Sequence, residues 1–315
     1  MGADSSDNLH GESRLESPRS AVTTVQEPYV AASAGVTLSV VVCTRNRAEQ
    51  LQRCLDTFSN LQSPVPWELI VVDNGSTDDT VGLLERFKRD ASFPVHVVLE
   101  GRPGLGRARN AGWRRTSGAI VAFTDDDCYP APDYLSKLVE CFGEQDVAFL
   151  GGRILLYDAA DYPITIRPVR SRLDIKPYSF VPTGVIQGAN CAFRREALAT
   201  VDGFDDEMGA GTPFACEDVE ILARLTFAGF AGMYDPRPLV YHHHGRREEA
   251  AVELRKGYDF GRGAYFAKCL LDRQMRLSYL KRWYWQTKQR QFRRTAREVV
   301  GAMSYLSWRV RFRHR

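Results

Sequence analysis

The chain has 315 residues, 44% of them hydrophobic and 26% charged, which suits a globular protein of one large or two small domains. No apolar run approaches the length of a membrane span, and the first 35 residues lack an apolar segment, so we expect neither a spanning helix nor a signal peptide. Seven single cysteines without a Cys-x-x-Cys pair argue against a disulfide frame or a zinc site. The net charge of +3 combines a basic C-terminal tail with an acidic body, and the acidic body argues against nucleic-acid binding.

The first part of the chain alternates apolar runs with amphipathic segments. Residues 1–34 are rich in Ser, Asp, Glu and Gly without periodicity, so we expect them to be disordered. Beyond them the sequence predicts four strands separated by helices, at 36–43, 68–72, 95–99 and 119–123. Strands that alternate with helices predict βαβ units and a mostly parallel sheet with right-handed crossovers.

Three carboxylates follow the fourth of these strands. Asp125, Asp126 and Asp127 come directly after the apolar run, at the edge where open α/β sheets bind their ligands. Adjacent carboxylates repel one another, and hard oxygen ligands suit Mg²⁺ or Mn²⁺. The stretch therefore predicts a divalent cation site, with a plain acidic turn as the alternative.

Two further features of the first half suit a nucleotide. The glycine-rich turn at 101–106 is not a dinucleotide fingerprint, because Arg109 stands where the third glycine belongs, but with Arg107 and Arg109 it suits a diphosphate. Solvated arginines in an ordinary loop are the alternative. Asp73 follows the second strand, where it can form an Asx-turn or accept a hydrogen bond from a base or ribose.

The second half is less regular. The sequence predicts strands at 147–156, 184–193 and 234–241, a mobile loop at 157–182 and a helix at 217–227. Glu217 and Asp218 open that helix, where they complement its dipole or include a general base. Strand alternation places His242 and His244 on one face, so His242 can complete the metal shell; a surface histidine run is the alternative.

The chain reads as helical from Glu248 almost to its end. Residues 271–315 hold 13 Lys and Arg against Asp272 and Glu298, a net +11 that leaves about −8 for the rest. Trp and Tyr are mixed with these cations, a composition that suits an anionic lipid surface. A helical cap or an oligomer contact is the alternative.

Together these segments resemble family 2 glycosyltransferases of the GT-A fold. The resemblance covers about residues 36–245, with matching segments at 39–47, 68–78, 106–112, 124–127, 188–195, 203–205, 217–218 and 234–242. It implies an α/β, Rossmann-like, mostly parallel central sheet flanked by helices. The implied domains are a catalytic domain at 35–247, with a nucleotide-binding half at 35–128 and an acceptor-binding half at 129–247, then a basic helical region at 248–315.

The resemblance implies roles in the donor pocket. Asp73 would read the nucleotide base, with Thr44 and Arg45 lining the same pocket, and Arg109 would be a donor-site residue. Arg45 stands where the family usually has an aromatic residue, which bears on base recognition. Asp202-Gly203 replaces a common Gly-Gly pair in a loop.

The resemblance also implies roles in the chemistry. Asp125 and Asp127 match the Asp-x-Asp motif, whose second acid binds the metal directly, and Asp126 holds the middle position near the ribose or sugar. Asp218 matches the catalytic base, with Glu217 as the alternative. His242 matches a third metal ligand.

The predicted protein is therefore an inverting glycosyltransferase that uses Mn²⁺ or Mg²⁺. It would move a sugar from a nucleotide-diphosphate sugar to a hydroxyl of a glycan or lipid-linked acceptor, in envelope polysaccharide or glycolipid synthesis. We expect a cytoplasmic enzyme, peripheral on the inner face of the plasma membrane, with no nucleic-acid partner. The rivals are a sugar nucleotidyltransferase, which should have a glycine-rich N-terminal loop with Arg and Lys, and a non-catalytic nucleotide-sugar-binding scaffold.

Overall fold

The computed structural model describes residues 37–289 and 292–312. The predicted disordered segment at 1–34 lies outside these residues. The described elements are β1 (Leu38–Thr44), α1 (Ala48–Phe58), β2 (Trp67–Asp73), α2 (Thr80–Asp90), β3 (Val95–Leu99), α3 (Leu105–Arg114), β4 (Ile120–Asp125), β5 (Cys128–Pro130), α4 (Tyr134–Glu144), β6 (Phe149–Leu156), β7 (Leu173–Ile175), β8 (Asn190–Arg194), α5 (Arg195–Thr200), α6 (Glu217–Phe227), β9 (Gly232–His242), α7 (Glu248–Leu271), α8 (Arg276–Gln289) and α9 (Phe292–Phe312).

One sheet runs through the molecule, with strand order β3-β2-β1-β4-β8-β6-β9-β5 and β7 beside β9. Strands β1 to β4 pair in parallel, as the alternating pattern predicts, and their carboxyl ends meet at one edge. Strand β8 runs antiparallel to both β4 and β6, and β9 returns parallel to β6. The four parallel strands hold the acid cluster at the end of β4, next to the loop after β1.

Helices cover both faces of the sheet because each buries one apolar stripe. On α1 the stripe is Leu51, Cys54, Leu55 and Phe58, spaced three or four residues apart and fully buried. This face packs with the inner faces of β1 and β2 in one core, and α3 and α6 pack on the other side in a second core. The two cores fix the sheet between the helices.

Two predicted strands in the second half differ from the structure. Strand β8 begins only at Asn190, because residues 184–189 form a turn in which the Asn190 N–H donates to the Gln187 carbonyl at 3.0 Å. Strand β9 is longer than predicted and continues through Pro236 and Pro238, with an irregularity in its pairing to β6. The predicted mobile loop at 157–182 contains β7, which pairs with β9.

The C-terminal region is helical, as predicted, and α9 packs along α7. A Cβ at Gly263 would overlap the Glu298 carbonyl, and one at Gly301 would overlap the Phe260 carbonyl, so the two helices cross backbone to backbone. Side chains of α6, α7, α8 and α9 share a third core. Within the described residues, no helix is both long and apolar enough to cross a membrane.

Candidate active site

A cavity of about 1270 Å³ opens at the carboxyl ends of β1 and β4. Its walls come from the loop after β1, the acid cluster, the first turn of α6, the end of β9 and the first turns of α7. The segments at 164–168, 183–189 and 209–216 supply further parts of the wall. Residues from both predicted halves of the catalytic domain therefore face one space.

The acid cluster is neutralised by protein groups. The Thr44 hydroxyl donates to Asp126 Oδ2 at 2.7 Å, and Arg47 Nη1 lies 3.3 Å from Asp126 Oδ1. Arg47 Nη2 donates to Asp127 Oδ2 at 2.6 Å, while His242 Nε2 lies 3.2 Å from Asp127 Oδ1. Arg47, which sequence reasoning missed as a partner of the cluster, thus provides positive charge where a cation is predicted.

Ligand atoms of Asp125, Asp127, Cys128 and His242 all lie within 4.8 Å of one another. Two carboxylates and an imidazole suit Mn²⁺ or Mg²⁺. Cys128 is fully buried, and burial raises the pKa of its thiol well above the ordinary value, so the protonated sulfur is a poor ligand for these hard cations. The donor set that fits is the predicted one of Asp125, Asp127 and His242.

Burial and charge pairing shift the pKa values of Asp126 and Asp127 in opposite directions. Burial raises the pKa of Asp126 to about 7, despite the opposing charge of Arg47. Burial acts in the same direction on Asp127, but the hydrogen bond and charge of His242, with Arg47, hold its pKa well below the usual range. The same bond to Asp127 outweighs burial and raises the pKa of His242. Asp127 is therefore the ionised centre of the cluster.

Arg109 joins the acid cluster to the first turn of α6. Its buried guanidinium donates from Nη1 to Glu217 Oε1 at 2.8 Å and lies 3.3 Å from Asp125 Oδ1 through Nη2. Gly188 makes room for it, since a Cβ at that position would overlap the guanidinium. A buried arginine between two carboxylates fixes the spacing of the two acidic groups across the cavity.

Glu217 and Asp218 are the first two residues of α6 and lie on the wall of the cavity. Cys216, which precedes the helix as its N-cap, has the left-handed conformation with φ of 81°. Burial raises the pKa of Glu217 to about 7, although Arg109 opposes it. Asp218 accepts hydrogen bonds from the Gly188 N–H at 3.1 Å and the Val219 N–H at 2.8 Å. Burial also raises the pKa of Asp218, against Arg109 and these two bonds. Both carboxyls are thereby shifted towards the range useful for proton transfer.

The structure brings most of the predicted site residues to this cavity, but not all. The wall includes Thr44, Arg45, Arg109, Asp125, Asp126, Asp127, Glu217, Asp218 and His242. Asp73 and Arg107 are not among the described residues that line it. Asp73 is buried and its carboxylate accepts a hydrogen bond from the Ser76 N–H at 2.9 Å, three residues further along the chain. Arg107 pairs with Glu207. The donor-binding roles of these two residues stay predictions.

The chain is similar in sequence to known proteins over much of its length. The family model for glycosyl transferase family 2 matches residues 39–202. The glycosyltransferase AglE of Haloferax volcanii is 33% identical over 196 residues, which cover 62% of each chain. The pre-mycofactocin glycosyltransferase of Mycobacterium tuberculosis is 30% identical over 221 residues, 66% of this chain and 43% of that protein. The chain thus spans less than two thirds of the length of either relative.

Solved structures share the fold. The mannosyltransferase PcManGT from Pyrobaculum calidifontis, in complex with GDP-Man and Mn²⁺, superposes with a TM-score of 0.60 at 20% identity and covers 91% of this chain and 79% of its own. S. aureus TarS in complex with UDP-GlcNAc gives a TM-score of 0.54 at 17% identity, over 78% of this chain and 69% of that one. With a family match over more than half of its length, the chain belongs to glycosyl transferase family 2 and has the GT-A fold.

Proposed function

We propose that the chain is an inverting glycosyltransferase that moves a sugar from a nucleotide-diphosphate sugar to a hydroxyl of a glycan or lipid-linked acceptor. The observation that carries this proposal is the Arg109 bridge, which holds Asp125 of the acid cluster and Glu217 of the acidic pair in one cavity. A cation site and candidate bases that face one space are what a displacement at a sugar–diphosphate bond requires. Relatives named glycosyltransferases, and neighbours solved with GDP-Man or UDP-GlcNAc, support it.

The cofactor in this proposal is Mn²⁺ or Mg²⁺. Asp125, Asp127 and His242 would hold it, because their ligand atoms are close together and chemically suited to it. Such an ion, when bound, supplies positive charge against the leaving diphosphate. The Mn²⁺ in the PcManGT complex supports the choice of cofactor.

We assign the general base to Asp218 and a positioning role to Glu217. Glu217 is engaged by Arg109, whereas the described residues that bond Asp218 do so only through backbone N–H groups. The acceptor oxygen would form a bond to the anomeric carbon as the bond from that carbon to the diphosphate oxygen breaks. The hydroxyl proton goes to Asp218, and the electron pair leaves with the nucleoside diphosphate. One displacement of this kind inverts the anomeric centre.

We further propose that the enzyme works in envelope polysaccharide or glycolipid synthesis, peripheral on the inner face of the plasma membrane. Exposed apolar side chains follow one face of α9, first two turns apart and then every three to four residues. They are Phe292, which is 85% exposed, Val299, Met303, Leu306, and Val310, which is 75% exposed. On α8 the side chains of Leu277, Leu280, Tyr284 and Trp285 are exposed, and Lys288 lies over the two aromatic rings. Exposed apolar groups among cations suit an interface with anionic lipid.

Sedimentation with vesicles tests the membrane part of the proposal. The full chain should pellet with vesicles that contain phosphatidylglycerol, and less so as salt rises. Leu306→Asp should weaken this binding, whereas Val81→Asp, at an exposed position of α2 in the body, should not. Equal sedimentation of the two variants, or of neutral and anionic vesicles, would exclude this docking mode.

A donor screen tests the enzymatic part of the proposal. UDP-, GDP- and dTDP-sugars are each added with and without Mn²⁺, to the wild type and to Asp127→Ala, while thermal unfolding is followed. A donor at 100 times its Kd should stabilise the wild type by about 2.7 kcal/mol, and the effect should need Mn²⁺ and Asp127. Release of nucleoside diphosphate then separates an enzyme from a nucleotide-sugar-binding scaffold, and absence of any shift would reject the proposed donor site.

A further inference from the structure

Some of the arginines that line the cavity are paired with carboxylates, and others are not. Arg47 and Arg109 are paired with the acid cluster and Glu217, and Arg262 with Asp259 and Glu298. Four other arginines of the wall have no carboxylate partner within the described part of the chain: Arg45, Arg167, Arg246 and Arg255. Arg45 follows β1 on the donor side. The remaining three come from the segment at 164–168 and from the start of α7.

Tyr162 contacts two of these three arginines. Its N–H donates to the Arg246 carbonyl at 2.9 Å, and its hydroxyl accepts from Arg255 Nη2 at 3.2 Å. The Arg255 guanidinium lies 5.0 Å from the centre of the Tyr162 ring. Tyr162 also accepts a backbone hydrogen bond from the Ile164 N–H at 2.7 Å, so it connects Arg246 and Arg255 to the start of the segment that carries Arg167.

Arg167 is held without a carboxylate. Its backbone pairs with Ile154, and its guanidinium lies 4.7 Å from the centre of the Tyr234 ring. The Arg167 Nε atom is buried and has no hydrogen-bond partner in the described structure. A buried donor of a charged group costs free energy unless a ligand completes its bonds.

Arg246 lines the same cavity as the proposed base. Asp218, Tyr258 and Arg246 all belong to its wall. The one carboxylate of α7 in this wall, Glu253, pairs with Lys256 and leaves the arginines uncompensated.

We propose that Arg167, Arg246 and Arg255 form an anion subsite for a phosphate group carried by the acceptor. The proposal rests on the proposed function, since it places the acceptor hydroxyl at Asp218 and the phosphate at another part of the same cavity wall. Guanidinium groups bind phosphate through paired, charge-assisted hydrogen bonds. The acceptor class is then a phosphorylated glycan or a lipid-linked phosphate, in preference to a neutral sugar.

Binding of an alkyl phosphate tests this subsite. Decyl phosphate is titrated calorimetrically into the full chain with Mn²⁺ and the nucleoside diphosphate that the donor screen identifies, so that donor groups are already occupied. Decyl glucoside is the neutral control. Arg246→Gln and Arg255→Gln should each weaken decyl phosphate binding about tenfold or more, because each removes a charged hydrogen bond. Two arginines outside the cavity wall supply matched controls: Arg247→Gln, next to Arg246 in the chain, and Arg86→Gln, at an exposed position of α2, should bind as the wild type does.

Three results would overturn the subsite. Competition between decyl phosphate and the nucleoside diphosphate would assign the arginines to the donor. If decyl glucoside binds as tightly as decyl phosphate, or if the control variants lose as much affinity, the arginines do not recognise the phosphate. If the donor screen fails, the titration is run without nucleotide: decyl phosphate that still binds through Arg246 supports the subsite even though the proposed function has failed.

Discussion

Cation binding at the acid cluster should depend on pH through His242. Its Nε2 atom lies 3.2 Å from Asp127 Oδ1, and this bond raises the pKa of His242 above its ordinary value although burial opposes the shift. A protonated imidazole cannot be a ligand, so below that pKa an incoming cation must displace a proton. Affinity should therefore rise with pH up to the raised pKa of His242 and become constant above it.

The size of the effect follows from linkage. Each pH unit below the pKa of His242 should weaken Mn²⁺ binding about tenfold, which corresponds to about 1.4 kcal/mol. Isothermal titration between about pH 6 and pH 9 measures the Kd. Repeating it in two buffers of different ionisation enthalpy counts the protons released, which should approach one at the acid end and zero at the alkaline end.

Two variants separate His242 from its neighbours. His242→Gln should bind Mn²⁺ more weakly than the wild type, and its binding should release no proton. Burial raises the pKa of Asp126 to about 7, so its carboxyl titrates in the same range. Asp126→Asn should therefore keep the proton release if His242 is its source. Proton release that persists in His242→Gln and disappears in Asp126→Asn would refute the reasoning.

Three substitutions test other parts of the structure. Asp218→Asn should lower the transfer rate by about 10²–10⁴-fold with donor affinity unchanged, measured by nucleoside diphosphate release, and a small loss would contradict its role as base. Gly188→Ala should displace Arg109, because the new methyl overlaps the guanidinium, and lower the rate by about a hundredfold. It should also lower the melting temperature, because the buried ion pairs of Arg109 are disturbed. Gly263→Ala should push α7 away from the Glu298 carbonyl and lower the free energy of unfolding by about 1–3 kcal/mol, measured in urea.

Local patterns were enough to predict the sheet and the acid cluster. Strands β1 to β4 are short apolar runs between turn residues, and α6 has the bounds that its apolar spacing predicts. Such patterns arise from neighbours within one element, which a sequence displays directly. The same patterns failed at 184–189, where a turn replaces a strand. Val185 and Ile186 are apolar because they pack in the second core, although they do not pair in the sheet.

The partners of the site residues could not be predicted in the same way. Arg47 reaches Asp127 across 80 residues of sequence, and Arg109 reaches Glu217 across 108. Either arginine alone looks like a solvated surface residue. Cys128 joins the cation group only because β5 pairs with β9, so its closeness to His242 depends on strand register. Asp73 likewise has a partner three residues along the chain, the Ser76 N–H, and its role towards a nucleotide stays a prediction.

The loop after β1 would link the proposed donor pocket to the proposed cation site. Thr44 and Arg47 bind the acid cluster, while Arg45 between them lines the cavity. A cation at Asp127 would compete with Arg47 for the same carboxylate, so its arrival would release one end of this loop. The side chain that follows Thr44 would then be free to adjust to the nucleotide. We therefore expect cation and donor to bind with positive cooperativity, and Arg47→Gln to reduce the coupling between them.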